Sequence, residues 1–173
     1  MSNVWFSRFS IKSKLFSITV EKSEKLKLPY VKNLEYLKIV DMPPMKIIDY
    51  PILDRLTIVG TNITEFPLLK SLWVLKVEDC VLEHLLDFPR LDQLILENVK
   101  INQPIPPIKS LRYLCVDTGD FSILPSFPSL KSADFLFCTG VYLPVFPSVH
   151  YMYFSNCADV VIPYKEDLEI VRE

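Results

Sequence analysis

The sequence predicts a mainly β fold: a leucine-anchored solenoid of eight to nine turns of about 19 residues, little or no α-helix, a parallel sheet along one side, and extended or polyproline-like return arms along the other. Three observations lead there. An apolar anchor recurs as Leu15, Leu34, Leu53, Leu72, Leu91, Leu111, Leu130 and Val149, at spacings of 19 residues except for one of 20. After each anchor the chain reads L-x-x-L-x-[IVLF], and its last two apolar positions alternate as in a strand with one buried face. All fourteen prolines fall between nine and seventeen residues after the anchor of their own turn, so none interrupts the strand.

Each element follows from that frame. Three residues past the anchors stand Ile18, Leu37, Leu56, Leu75, Leu94, Leu114, Ala133 and Met152; two further on stand Val20, Ile39, Ile58, Val77, Leu96, Val116, Phe135 and Phe154. These are the inward residues of one short strand per turn. Ten or eleven residues past the anchor another apolar residue (Leu26, Met45, Ile63, Leu82, Ile101, Phe121, Val141, Val160) turns the chain back inward. The rest of the turn is too short for a helix and rich in proline, which predicts an extended arm. The repeated phrases "LPSFPSL" (Leu124 to Leu130) and "LPVFPSV" (Leu143 to Val149) are this arm and its anchor in consecutive turns. A single turn cannot bury its own apolar face, whereas turns stacked at the inter-strand spacing of about 4.8 Å can.

Residues 15–167 are read as the solenoid, residues 1–14 as an N-terminal cap and residues 168–173 as a C-terminal edge strand or cap. Trp5, Phe6, Phe9 and Ile11 are expected to plug the first turn. Leu168 falls 19 residues after Val149 and Val171 three beyond it, so a ninth strand is expected with Val171 inward. That strand is either capped by the charges of "YKEDLEIVRE" or open for pairing with another chain.

The pattern resembles leucine-rich repeats, whose L-x-x-L-x-L-x-x-[NC]-x-L core is a solenoid signature. The stretch "LPSFPSLKSADFLFCTGVYLPVFPS" is similar to the short LPX-type repeats of bacterial effector proteins. The resemblance runs from residue 15 to about residue 163, with turns one residue shorter than the usual LPX length. The family's Asn position, eight after the anchor, reads Ser23, Met42, Thr61, Cys80, Val99, Gly119, Cys138 and Cys157. Cysteine is an accepted substitute there; Met and Val are departures. The resemblance implies protein binding through a concave strand face, as in a small effector or adaptor. It does not import a ligase activity, because no residues are left over for a catalytic domain.

A net charge of −2 hides an asymmetry: residues 1–32 carry seven Lys/Arg against two Glu. This reads as a solvated basic edge, not a nucleic-acid stripe. Charges and prolines cut every apolar run short of a membrane span. The start lacks a secretory h-region, which leads to an expected cytoplasmic location. Asn62-Ile63-Thr64 is a formal glycosylation sequon without a secretory context.

No catalytic motif, cofactor cradle or metal-ligand spacing is present, and a non-enzymatic protein without cofactor or metal is expected. His84 and His150 are too far apart in the repeat to share an ion. Cys80, Cys138 and Cys157 share one phase and are expected to be buried free thiols, with Cys138 and Cys157 close enough in principle for a disulfide; Cys115 is expected at the surface. The residues that the fold does not need are the candidates for partner binding: Tyr36, Arg55, Trp73, Lys76, Glu78, Ile95, Glu97, Arg112, Tyr113, Asp117, Phe137, Tyr151 and Tyr153. Among them an acidic strip at the strand ends (Glu78, Glu97 and Asp117, with Asp79) and an aromatic patch (Phe137, Tyr151, Tyr153) stand out, since interfaces favour Tyr, Trp and Arg at their centres. The expected function is recognition of a protein partner. The alternative is a structural component that self-associates through its ends or sides.

Overall fold

A computed structural model describes residues 16–22, 28, 30–118, 124–163 and 166–173. The expected apolar plug at Trp5, Phe6, Phe9 and Ile11 lies outside these residues, as do Leu15, Ser23, Leu26, Gly119 and Phe121. The described residues contain strands and no helix: β1 (Phe16–Glu21), β2 (Leu34–Val40), β3 (Met45–Lys46), β4 (Arg55–Val59), β5 (Ile63–Glu65), β6 (Val74–Leu82), β7 (Gln93–Ile101), β8 (Tyr113–Asp117), β9 (Ser132–Leu136), β10 (Tyr151–Ser155) and β11 (Glu169–Arg172). All pair in parallel. The long sheet runs β1-β2-β4-β6-β7-β8-β9-β10-β11.

The register follows the repeat. Leu56 lies opposite Leu37 and Leu75, and Ile58 opposite Ile39 and Val77, so each inward row becomes a continuous apolar spine. The spine is fully buried from Leu37 to Val116. Where it shrinks to Ala133, the neighbouring rows enlarge to Phe127 and Phe135; Phe135 then stacks on Phe154 at 5.2 Å, and Phe127 on Phe146 at 6.1 Å. Volume lost in one row is thus replaced in the next, as a close-packed core requires.

Two corners close each turn. The first lies seven residues past the anchor, where Lys22, Asp41, Gly60, Asp79, Asn98, Thr118, Phe137 and Asn156 all have φ between 45° and 59°. This left-handed residue bends the chain off the sheet, and Asn, Asp and Gly occupy it at least strain. A Cβ on Gly60 would collide with the Asp41 carboxylate. The second corner is a β-turn ending at the anchor, whose N–H donates to the carbonyl three residues back, as from Leu53 to Tyr50, Leu91 to Phe88 and Leu130 to Phe127, at 3.2–3.3 Å. Pro51, Pro89, Pro128 and Pro147 hold its second position, which suits their fixed φ. In the arm before it, buried residues recur every third position (Leu124, Phe127, Leu130; Leu143, Phe146, Val149), the period of a polyproline-like strand.

Beyond the first corner, pairing continues where only an inward turn was expected. β6 and β7 stay in register through Leu82 and Ile101, β5 pairs with β6 and β3, and the last turns add the bridges Thr139–Ala158 and Tyr142–Val161. The side-chain row at the start of this second side also bonds. Met42 N–H donates to Thr61 Oγ1 at 2.9 Å, Thr61 N–H to Cys80 Sγ at 3.3 Å, and Cys138 N–H to Cys157 Sγ at 3.4 Å. Threonine and cysteine therefore satisfy the backbone at this position, eight residues past the anchor.

The ninth strand differs from expectation by one residue. Ile170 lies opposite Met152 and Arg172 opposite Phe154, so these two face the core side, and Val171 sits beside Tyr153 on the outer face. The Arg172 guanidinium lies 5.9 Å from the centre of the Phe154 ring and covers the end of the stack.

A candidate protein-binding face on the long sheet

Residues two, four and six past each anchor form the outer face of the long sheet, which no other described element covers. Ten candidates stand on it: Tyr36, Arg55, Lys76, Glu78, Ile95, Glu97, Tyr113, Asp117, Tyr151 and Tyr153. Trp73 and Arg112 sit just before their strands, and Phe137 sits at the left-handed corner. Asp79 is likewise a corner residue, and its carboxylate accepts a bond from Asn98 Nδ2 at 2.7 Å.

In the central turns Ile95 lies between Lys76 and Cys115, and Glu97 between Glu78 and Asp117. Lys76 Nζ reaches Glu97 at 2.9 Å and Glu78 at 3.5 Å, and the bond to Glu97 pushes the lysine pKa up. The acidic strip is thus partly neutralised from within the sheet. Trp73 is 46% exposed at the edge of this region, beside Val74 and next in its row to Asp54 and Asp92, which pair with Arg55 and Arg112.

Further along, Tyr113 OH donates to Asp134 Oδ2 at 2.6 Å. Tyr113 lies opposite Ser132, so reaching Asp134 draws the ring diagonally across the face. Cys115, opposite Asp134, comes to lie under that reach and is only 9% exposed. It is therefore buried, where its outward phase alone pointed to the surface. Burial, and then the nearby carboxylates, push the Cys115 thiol up, so it is not an activated nucleophile. Tyr113 is pushed well above the usual tyrosine range, first by burial and then by the bond to Asp134.

The aromatic group is split. Tyr151 and Tyr153 lie beside Ser132 and Asp134 on the sheet, and Tyr153 OH donates to Glu173 at 2.7 Å, while Phe137 stands apart at the corner, 57% exposed. Sequence reasoning overlooked the coupling of Tyr113, Cys115 and Asp134, because a diagonal contact has no linear spacing to betray it. The corner row had a signal: Asp41, Gly60, Asp79, Asn98 and Asn156 recur at one phase and are the residue types that tolerate left-handed backbone.

His84 and His150 share no site, and among the described residues no group of three or more His, Cys, Asp or Glu side chains is placed to hold a metal ion. Comparison with protein-family models, curated proteins and solved structures finds no match to this chain. The chain is a parallel-strand solenoid of about 19-residue turns.

Proposed function

We propose that the chain is a non-enzymatic leucine-rich-repeat module, of effector or adaptor kind, that captures a protein partner on the outer face of its long sheet. The observation that carries this reading is the uncovered face itself, with Trp73 exposed at its edge beside Val74, and with Tyr36 and Tyr151 toward its two ends. A sheet face kept only for solubility does not need a half-exposed Trp, whereas interface centres are enriched in Trp and Tyr. Assembly through the C-terminal end is less favoured. Charged residues flank β11 and Arg172 lies over the Phe154 ring, features that blunt an edge.

Tyr113 is a poor probe of binding, because its removal also strands the Asp134 carboxylate. Trp73→Ala with Tyr151→Ala is a cleaner one. Tagged full-length chain is used to capture partners from its native source, with circular dichroism melts of both proteins alongside. The double variant is expected to weaken capture at least tenfold, on the scale of ~1.4 kcal/mol for losing hot-spot contacts. Its melting temperature should stay within about 2 °C of the parent, as for surface changes near 0.5 kcal/mol. Equal capture by both proteins would remove this face from the proposal.

A further inference from the structure

The row that begins the second side contains Cys80, Cys138 and Cys157, all free thiols, as is Cys115 on the opposite face. Only two of the four are neighbours. Cys80 stands between Thr61 and Val99, whereas Cys138 and Cys157 occupy this row in consecutive turns. Pairing brackets them on both sides, Leu136 with Ser155 before and Thr139 with Ala158 after. Their Cα atoms therefore sit near the parallel-strand spacing of about 4.8 Å, inside the roughly 4.4–6.8 Å that a disulfide spans.

The side chains are arranged for the same approach. Cys157 Sγ already lies against its neighbour's backbone, accepting the Cys138 N–H at 3.4 Å. Cys138 Sγ donates to Leu136 O at 3.3 Å and Val116 O at 3.7 Å, toward the preceding turn, and one rotation about its Cα–Cβ bond carries it toward Cys157. Only weak S–H bonds are given up. Cys138 is wholly buried, and Cys157 is the partly exposed last member of the row.

We propose that Cys138 and Cys157 form a redox-modification site, which an oxidant of the peroxide class converts reversibly into an intramolecular disulfide tying the seventh turn to the eighth. Cys138 is buried, its thiol pushed up to about 12, so the partly exposed Cys157 meets the oxidant first. Its sulfur attacks the O–O bond and is oxidised by two electrons to the sulfenic acid, while the peroxide is reduced and leaves as water. Cys138 then attacks the Cys157 sulfur and displaces hydroxide, which departs as water with the Cys138 proton. Two thiols and one hydrogen peroxide give one disulfide and two waters. The product fastens a region where the second side is held by two isolated bridges instead of a continuous ladder.

The test uses the full chain and hydrogen peroxide, with free thiols counted in denaturant by Ellman's reagent and the linkage mapped by mass spectrometry. The four thiols should fall to two, with a Cys138–Cys157 peptide pair lighter by two hydrogens and full recovery on adding dithiothreitol. Cys138→Ser and Cys157→Ser should each abolish the linkage, and Cys80→Ser should leave it intact. Serine is suitable because Thr61 already serves this row through a hydroxyl, and circular dichroism confirms that each variant is folded. The proposal is overturned if all four thiols survive, if Cys80 or Cys115 is the residue lost, if the linkage joins two chains, or if Cys157 passes to sulfinic acid while Cys138 stays free.

Discussion

The second to fifth turns and the sixth to eighth are built on one period, yet they satisfy it differently. In the earlier group the left-handed corner is filled by Asp41, Gly60, Asp79 and Asn98; in the later group Thr118 and Phe137 take it before Asn156 restores the rule. On the second side the earlier turns pair through β3, β5 and the long ends of β6 and β7, with Lys46 bridged to Glu65 on the surface. Among the described residues the later turns have two isolated bridges there, one of them between Tyr142 and Val161, which are 65% and 51% exposed. In the first group local preference, pairing and solvation agree; in the second they are relaxed at the surface while the core spine continues unbroken. Agreement across levels is what a fold needs, and departures from it concentrate where a surface serves something else.

The sharpest way to break that contrast is to place the same charge in each group's spine. Leu75→Asp puts a carboxylate in a fully buried row flanked by Leu56 and Leu94, with no partner. It is expected to cost more than ~4 kcal/mol and to abolish the cooperative urea transition of the whole chain. Met152→Asp lies one strand from the end, beside exposed Ile170, and should open only the last turns. Hydrogen exchange separates the outcomes: protection should survive in β4 to β7 of Met152→Asp and be lost throughout Leu75→Asp. Equal damage from both would mean that the two groups are a single cooperative unit.

The spine is legible in the sequence because it is periodic: anchors, inward rows and prolines each obey one spacing, and that spacing alone assigns Leu75 and Leu94 to the buried row. The face was less legible. Its rows could be listed, but the Tyr113–Asp134 bond over Cys115 depends on a diagonal across two strands, and the neutralisation of Glu78 and Glu97 depends on where Lys76 turns. The ninth strand was misplaced by one residue because the step from Met152 to Ile170 is 18 residues where the repeat otherwise gives 19 or 20.

The contact between the sixth and seventh turns, within the later group, can be probed by pH. Tyr113 has its pKa raised on folding, first by burial and then by Asp134. Such a group stabilises the fold while it is protonated. That contribution is complete below the unfolded tyrosine value of about 10 and is lost as pH rises toward the folded value. Tyr50, pushed up to about 12 by burial, acts in the same direction. Chemical denaturation should show stability falling above pH ~10. Tyr113→Phe, which removes the donor to Asp134, should be less stable by about 1 kcal/mol at pH 7 and converge with the parent above pH ~10. A gap that stayed constant through the alkaline range would mean that the hydroxyl does not hold these two turns together.

The smallest effect asks most directly why the later turns depart from the rule. Phe137 holds a left-handed φ of 51° with a bulky side chain that is 57% exposed, so it gains little burial in return for the strain. Asn at this corner tolerates the same backbone, as Asn98 and Asn156 do one period away on either side of the misfit pair. Phe137→Asn is therefore expected to stabilise the chain by about 0.5–1 kcal/mol, or roughly 1–4 °C in melting temperature. The reverse change, Asn98→Phe, should cost at least as much, since it also removes the 2.7 Å bond to Asp79. If Phe137→Asn gains stability and loses partner capture, the strain is retained for contact, and the candidate face extends around the corner. If it gains stability with capture unchanged, the corner is scaffold and the face ends at Leu136. A loss of stability would show that the Phe137 ring packs favourably enough to outweigh its backbone, and the contrast between the two groups of turns would then not rest on strain.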